Sequence, residues 1–350
     1  MKTIAFYVTD TGFGHITRTL ALIEKIIKHS DHEIYLACGE LQVEYSRVYL
    51  NKYADRITYA YVKTEAGTKV KDNSFEIDLE ATIDTIKIFL AGVDETVKSE
   101  VANLQDKNIA LVVSDISIIG AKVARELNVK SIGISNYTHY HRYVKLGIDQ
   151  ALIQPFIDAY NTFDEFFELA LADQMDDIVC KKTKVGMVAR NVNQLAVTDL
   201  KSKYWPSAYL SIGQIANRDS IDISFIAGHI YATGNLNIEG DAHVIKLPLR
   251  VARSQDYINA SSYAIIKPGW SQTAECMIAG IPFAVIDVNP IEDGEFISKL
   301  VEQNACFVMK EEDCDFIDIK ELNMKVAGSK TQKVPNDAKN IANRLMDLMN

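Results

Sequence analysis

Apolar runs of strand length alternate along this chain with segments whose apolar residues recur at helical spacing. Lys2 to Val8 is the first such run. After the turn Thr11-Gly12-Phe13-Gly14, residues Ile16, Leu20, Ile23, Ile26 and Ile27 predict a helix over Ile16 to His29. Glu33 to Cys38 and Ile57 to Val62 predict two more strands, and the polar stretch Lys63 to Ser74 a loop. Ile77, Leu79, Ile83, Ile86, Phe89, Val93, Val97 and Val101 set a long helix over Glu76 to Asn103. Strand Ile109 to Val113, helix Gly120 to Leu127 and strand Ser131 to Ser135 complete a β-α-β unit. Such alternation predicts a parallel sheet with helices on both faces.

Asp149 to Asp177 differs in character, with Phe156, Tyr160, Phe163, Phe166 and Phe167 on a helical period, most of them simply core. From Trp205 a second series begins, with strands expected at Ala208 to Ile212, Ile223 to Ala227, His243 to Leu247, Tyr263 to Ile266, Pro282 to Val288 and Ala305 to Met309. Pro206 and the polar run Asp199 to Lys203 are the expected linker. The predicted class is α/β, as two doubly wound Rossmann-like domains, residues 1–200 and 201–330, facing each other across a cleft at the carboxyl ends of their strands. A helix over Ala338 to Met349, within residues 331–350, is expected to return to the first domain.

Composition narrows the function classes. At 350 residues, 48% apolar and 24% charged, the chain is a globular protein with a sizeable core. No apolar run approaches the ~18 residues that span a bilayer. Met1-Lys2 leads straight into a strand, so no signal peptide is expected and the cytoplasm is the expected location. Five scattered cysteines without a C-x-x-C pair suggest reduced thiols, with neither a disulfide frame nor a zinc site. A net charge of −10 with no basic block argues against nucleic acid as a partner.

The most informative stretch is IIKPGWSQTAECMIAGIP, from Ile265 to Pro282. An apolar strand runs into Pro268-Gly269, and a helix opens at Trp270-Ser271-Gln272-Thr273. A helix start after a strand presents unpaired N–H groups and partial positive charge, which suits a phosphate. Glu275 falls on the first turn, within reach of a ribose. The spacing is neither the dinucleotide fingerprint nor a P-loop. An ordinary strand–turn–helix is the plain alternative.

The run K-P-G-W-S-Q-T-A-E…A-G-I-P resembles the donor-site signature of GT-B glycosyltransferases, the group of the plant and antibiotic UDP-sugar transferases and the GlcNAc transferase that completes the peptidoglycan precursor. That resemblance implies that Ser271, Gln272 and Thr273, with Gly269 and Trp270, grip the donor diphosphate and that Glu275 holds the ribose. Lys267 stands where those families place a His or Arg; it keeps the charge but lacks the planar fork. Gly14 is also implied on the donor side. After the strand Pro282 to Val288 those transferases carry an Asp-Gln or Gln-Gln pair for the sugar. Here the acidic loop Asn289-Pro290-Ile291-Glu292-Asp293-Gly294-Glu295 has no Gln, so Glu292, Asp293 or Glu295 is the implied sugar contact, with a solvated surface loop as the alternative. His243 to Arg250 lacks the Trp and Gln of the plant signature, leaving the base unassigned.

In the amino-terminal turn, His15 stands at a helix start, where a near-neutral pKa allows it to take a proton from a hydroxyl. Capping of its own turn is the alternative. G-F-G-H-I-T-R resembles the Gly-rich loop of the GT-B amino-terminal domain and of the domain attached to plant arabinose kinases, which implies His15 as general base and Asp115 as the carboxylate that orients it. Asp115 capping the helix near Gly120 is equally open. Phe13, Arg18, Tyr137 and His139 are candidate acceptor contacts. Arg18 faces an acceptor phosphate or solvates its helix, and the run Asn136 to His141 lines a pocket or is a surface loop.

The implied activity is transfer of a hexosyl or N-acetylhexosaminyl group from a nucleotide-diphosphate donor, UDP-sugar first, to an acceptor hydroxyl, inverting and without a metal, as no D-x-D motif near a strand end suggests a bound divalent ion. No cofactor is expected beyond the nucleotide-sugar co-substrate. Partners are the small-molecule donor and an unknown acceptor, with a monomer or homodimer expected. A UDP-sugar 2-epimerase of the same fold and a non-catalytic sugar-nucleotide-binding protein are the alternatives.

Overall fold

A computed structural model describes residues 1–71, 76–211, 220–224, 228–234, 237–239, 243–248, 250–287, 290–310, 316–328 and 331–349. It divides into two compact units. One comprises Met1–Lys69, Ile77–Val188 and Asp337–Asn350; the other comprises Val70–Glu76 and Ala189–Asn336.

The first unit runs β1 (Thr3–Val8), α1 (Gly14–His29), β2 (Glu33–Cys38), α2 (Glu40–Tyr49), β3 (Ile57–Tyr61), α3 (Leu79–Leu104), β4 (Ile109–Asp115), α4 (Ile118–Leu127), β5 (Lys130–Ser135), α5 (His139–Lys145), α6 (Gln150–Tyr160), β6 (Glu165–Glu168) and β7 (Lys182–Lys184). Its strands form one parallel sheet in the order β3-β2-β1-β4-β5-β6-β7. β1 is buried at every position, as a strand covered on both faces must be. The core joins Tyr7, Val112 and Ile119 to Phe89, Phe156 and Phe166.

The helical period read over Asp149 to Asp177 holds only as far as Tyr160. Phe166 and Phe167 lie in β6, each fully buried on an opposite face of the sheet, so a doubly covered strand mimicked a buried helix. Asp199 to Lys203 lie inside a helix, and the chain passes between units at Val188–Ala189.

The second unit contains α7 (Gln194–Tyr204), β8 (Ser207–Ser211), β9 (Ser220–Ser224), β10 (His229–Thr233), β11 (Asn237–Glu239), β12 (His243–Leu247), α8 (Ser254–Ala260), β13 (Tyr263–Ile266), α9 (Trp270–Ala279), β14 (Phe283–Asp287), α10 (Pro290–Glu302), β15 (Phe307–Lys310), β16 (Phe316–Asp318) and α11 (Ile319–Ala327). Its main parallel sheet is ordered β12-β10-β8-β13-β14-β15. The strand expected at Ile223 to Ala227 is instead β9, in a separate sheet ordered β11-β9-β16; residues 225–227 lie outside the described ones. The main sheet instead includes β10, whose apolar content is broken by His229 and Thr233. The last helix, α12 (Ala338–Asp347), belongs to the first unit and packs on α1. Lys130 Nζ donates to the Leu348 carbonyl at 3.0 Å. No helix among the described residues is long and apolar enough to cross a membrane.

Both main sheets wind outward from their first strand, to one side through the second and third and to the other side from the fourth onward. The winding reverses between β1 and β4 in the first unit and between β8 and β13 in the second. Loops leaving the carboxyl ends of those strands diverge, and this opening is where doubly wound sheets bind ligands.

Gly133 on β5 leaves room for the rings behind it: a Cβ there would lie 2.5 Å from the Phe166 ring and 2.7 Å from the Phe163 ring. Both phenylalanines are buried and have no space to retreat. Gly133→Ala is therefore expected to destabilise the fold by about 1–3 kcal/mol through overpacking. A denaturant midpoint matching wild type would contradict this packing.

Candidate functional site

In the first unit, the turn after β1 is held from two sides. Gly12 takes φ +67, which an L side chain rarely adopts. Gln42 from α2 donates its Nε2 hydrogens to the carbonyls of Asp10 and Gly12 at 2.8 and 2.9 Å. The segment 62–69 lies against the same turn: Thr64 Oγ1 donates to the Val8 carbonyl at 2.7 Å, and Ser117 Oγ donates to the Thr64 carbonyl at 2.8 Å. The fixed turn sets His15 as the second residue of α1, 7% exposed.

His15 and Asp115 meet at the point where the winding reverses. His15 Nδ1 lies 2.8 Å from Asp115 Oδ1, and His15 Nε2 lies 2.8 Å from the Tyr137 hydroxyl. Neither open alternative for these two residues holds. α1 has no side-chain cap, and α4 is capped by Ser117, whose Oγ accepts from Ile119 N. The chain reaches this geometry through Ile116, a β-branched residue held at φ +53 immediately after Asp115. Such a backbone costs on the order of 1–3 kcal/mol and persists only where its surroundings impose it. Tyr160 supplies one constraint by donating its hydroxyl to the Ile116 carbonyl at 3.0 Å.

Arg18 does not solvate its helix. It is 4% exposed and grips Asp115 with both edges of its fork, Nε to Oδ2 at 2.7 Å and Nη2 to Oδ1 at 2.6 Å. Nη1 donates to Asn136 Oδ1 at 2.6 Å and Nη2 also to Ser135 Oγ at 2.9 Å. The same Nη2 lies 2.7 Å from His15 Nδ1, so that ring nitrogen faces both the guanidinium and the carboxylate. Burial pushes the Asp115 carboxyl up, but Arg18 and His15 overcome it and hold the pKa at about 2. Burial, with the Arg18 charge, lowers His15 to about 4 despite Asp115. The dyad rests as carboxylate and neutral imidazole.

Phe13 and Gly14 sit at the start of α1, with the Phe13 ring edge-on to Tyr45 at 5.3 Å. Tyr137 is buried beside His15, and the Arg142 guanidinium lies 3.5 Å from the centre of its ring. His139, 2% exposed, opens α5 behind the Thr138 cap. The run Asn136 to His139 is thus interior, not a surface loop. Sequence reasoning missed Glu65, which is fully buried with Oε2 3.5 Å from His139 Nε2. Burial raises its pKa to about 8, against the pull of the Ala66 N–H, so it stays protonated at neutral pH. Nothing in a polar loop signals a buried carboxyl.

In the second unit, β13 ends at the corresponding reversal, and Lys267 N donates to the Ser211 carbonyl at 3.2 Å across it. Gly269 is the N-cap of α9 and supplies no side-chain cap; a Cβ built on it would meet nothing within 4 Å. Trp270, Ser271 and Thr273 are buried on the first turn, and Gln272 Nε2 donates to Ser211 Oγ at 2.8 Å. Thr273 Oγ1 is buried without a hydrogen-bond partner among the described residues. Glu275 is 4% exposed, with Oε1 2.9 Å from Arg190 Nε and 2.8 Å from Nη2. Arg190 also donates to the Ala252 carbonyl and to Ser254 Oγ. This buried pair, unforeseen from sequence, ties α9 to the segments before α7 and at α8. The stretch read as an acidic loop, Glu292 to Glu295, lies in α10; the side chains of Glu292 and Asp293 are outside the described residues.

The whole chain superposes on solved structures. It covers 100% of itself and 93% of a UDP-glucosyltransferase from Polygonum tinctorium that glucosylates indoxyl, at 11% identity and a TM-score of 0.62. The calicheamicin glycosyltransferase CalG4 matches at 12% identity and a TM-score of 0.60, covering 100% of this chain and 94% of that one. Phytolacca americana UGT2 matches at 11% identity and a TM-score of 0.60, with 100% and 94% covered. The chain has the GT-B fold. No protein-family model and no curated protein matches the sequence. On this GT-B frame, His15 and the α9 start each sit at the winding reversal of their own sheet.

Two consequences are measurable. Arg190→Met leaves the Glu275 carboxylate buried and uncompensated, so unfolding stability should fall by about 3–5 kcal/mol, while Arg190→Met with Glu275→Leu recovers most of it. Equal losses in the single and double variants would contradict a coupled buried pair.

The second concerns pH. With His15 lowered from 6.5 to about 4, the unfolded chain binds a proton in that window that the folded chain refuses. Stability therefore falls as pH drops through it, by at most about 3 kcal/mol from this group. Glu65, raised from 4.5 to about 8, acts oppositely, its contribution being lost as pH rises through that range. His15→Gln removes only the first slope. The stability gap between wild type and His15→Gln should narrow from pH 6.5 to 4, and a pH-independent gap would contradict a neutral imidazole.

Proposed function

We propose that the chain is a glycosyltransferase that moves a sugar from a nucleoside-diphosphate donor, a UDP-sugar, to an acceptor hydroxyl. The observation that carries this reading is the His15–Asp115 dyad, a neutral imidazole fixed by a buried carboxylate at the winding reversal of a GT-B sheet. The imidazole receives the acceptor proton through its Nε2 side, and Asp115 stabilises the imidazolium that forms. A 2-epimerase or a binding module has no evident need for this pairing in the amino-terminal unit, so the dyad favours transfer.

The diphosphate is assigned to the start of α9. Gly269 supplies no side-chain cap, and the start of the helix carries partial positive charge. Lys267, just ahead of that turn, adds a cation. As the bond from the anomeric carbon to the diphosphate breaks, charge builds on the leaving oxygen, and fixed donors of this kind stabilise it without reorganising. Inversion follows from a single in-line displacement. Glu275 is proposed to reach the ribose through its remaining oxygen while Arg190 orients it.

One substitution separates a donor site from an ordinary helix start. A serine at Gly269 is a better cap than glycine and finds open space, so Gly269→Ser should keep or slightly raise stability. The new hydroxyl would take the N–H groups assigned to the diphosphate and fill the space beside them. UDP affinity measured by calorimetry is expected to drop about tenfold or more, roughly 1.4 kcal/mol. Unchanged UDP affinity in this variant would remove the cradle.

A further inference from the structure

We propose that the Tyr137 hydroxyl, and not the imidazole itself, touches the acceptor, and that it relays the acceptor proton to His15. The proposal rests on the glycosyltransferase reading and adds a catalytic residue to it. It starts from a geometric obstacle. His15 and Tyr137 are both buried, and His15 Nε2 lies 2.8 Å from the Tyr137 oxygen. The opposite nitrogen lies 2.8 Å from Asp115 Oδ1 and 2.7 Å from Arg18 Nη2, and the proposal places its proton toward Asp115. The hydrogen between His15 Nε2 and Tyr137 is then the phenolic one, donated to the imidazole. An acceptor reaches the dyad either by displacing Tyr137 or through it.

Displacement is opposed by contacts on one face of the ring and at its edges. The Arg142 guanidinium covers one face at 3.5 Å from the ring centre. His15 and His139 meet the ring at steep angles, with centroids 5.4 and 5.7 Å away. The Tyr137 N–H donates to Ser135 Oγ at 3.3 Å, and the Thr138 side chain caps α5 immediately after it. Asn136 next to it is bound to Arg18. A ring clamped this way stays, and in the proposal its oxygen accepts from the acceptor hydroxyl.

The step balances without any further reagent. The acceptor oxygen forms its bond to the anomeric carbon as the carbon–diphosphate bond breaks, and the diphosphate leaves with the electron pair. The acceptor proton moves to the Tyr137 oxygen while the Tyr137 proton moves to His15 Nε2. The resulting imidazolium faces the Asp115 carboxylate. The Arg142 cation over the ring favours the negative charge that passes through the phenol.

Two measurements test the relay. Nitrogen-15 NMR of the histidine-labelled protein reads the His15 tautomer and needs no turnover: a proton on Nδ1 and a bare, hydrogen-bonded Nε2 is the expected result. A proton on Nε2 overturns the relay. Turnover is then read as UDP release from UDP-glucose and UDP-N-acetylglucosamine with a panel of aliphatic and phenolic alcohols. Tyr137→Phe should lower the rate about 100-fold at unchanged UDP affinity, the usual scale for losing a positioned proton-transfer group. Its rate should also lose the curvature in mixed H₂O/D₂O that two moving protons give wild type. A Tyr137→Phe enzyme as fast as wild type, beside an inactive His15→Ala, overturns the relay and leaves the dyad as base. Wild type that releases no UDP from any donor, or a fully active His15→Ala, overturns the glycosyltransferase reading and the relay with it.

Discussion

A chain that builds a parallel sheet must cross over between strands, and when it winds first to one side and then to the other it leaves an opening beside its first strand. This constraint operates twice here. In the amino-terminal unit it brings the loop after β1 and the end of β4 together, although His15 and Asp115 are a hundred residues apart in sequence. In the carboxyl-terminal unit it leaves the turn before α9 beside the end of β8, where Gln272 meets Ser211. Both candidate motifs lie at the openings that the winding leaves.

What fills each opening differs in kind. The amino-terminal one is lined by side chains of opposed electrostatic demand: a carboxylate kept ionised by Arg18, an imidazole kept neutral by burial, and a carboxylic acid at Glu65 kept protonated by burial. Such pushing apart of neighbouring titration behaviour is characteristic of sites that move protons, though buried ion-pair networks do the same. Arg18 changes the character of the dyad. It neutralises the carboxylate that would otherwise strengthen the imidazole, so His15 accepts a proton only when something favours the imidazolium at that moment. The carboxyl-terminal opening presents backbone instead, a helix start capped by a glycine with open space around it.

Much of this was legible in the sequence because it depends on local pattern. Strand-length apolar runs, the Gly12 turn and the Pro268-Gly269 break all announce themselves within a few residues. What was not legible depends on distant partners. Phe166 and Phe167 read as helix because a strand covered on both faces has no alternation. Arg18 read as an acceptor contact or a helix-solvating cation, since only the folded sheet brings Asp115, Ser135 and Asn136 to its fork. Arg190 carries no signal at all until Glu275 is seen beside it. Ile116 is less foreseeable still, because nothing about an isoleucine suggests a left-handed backbone.

The account stands on the α9 start being a diphosphate site, and a crystal structure of the protein soaked with UDP tests that most directly. The diphosphate is predicted against the backbone N–H groups of Trp270, Ser271 and Gln272, with the ribose toward Glu275. Ordered UDP bound elsewhere, with the α9 start untouched, would contradict it.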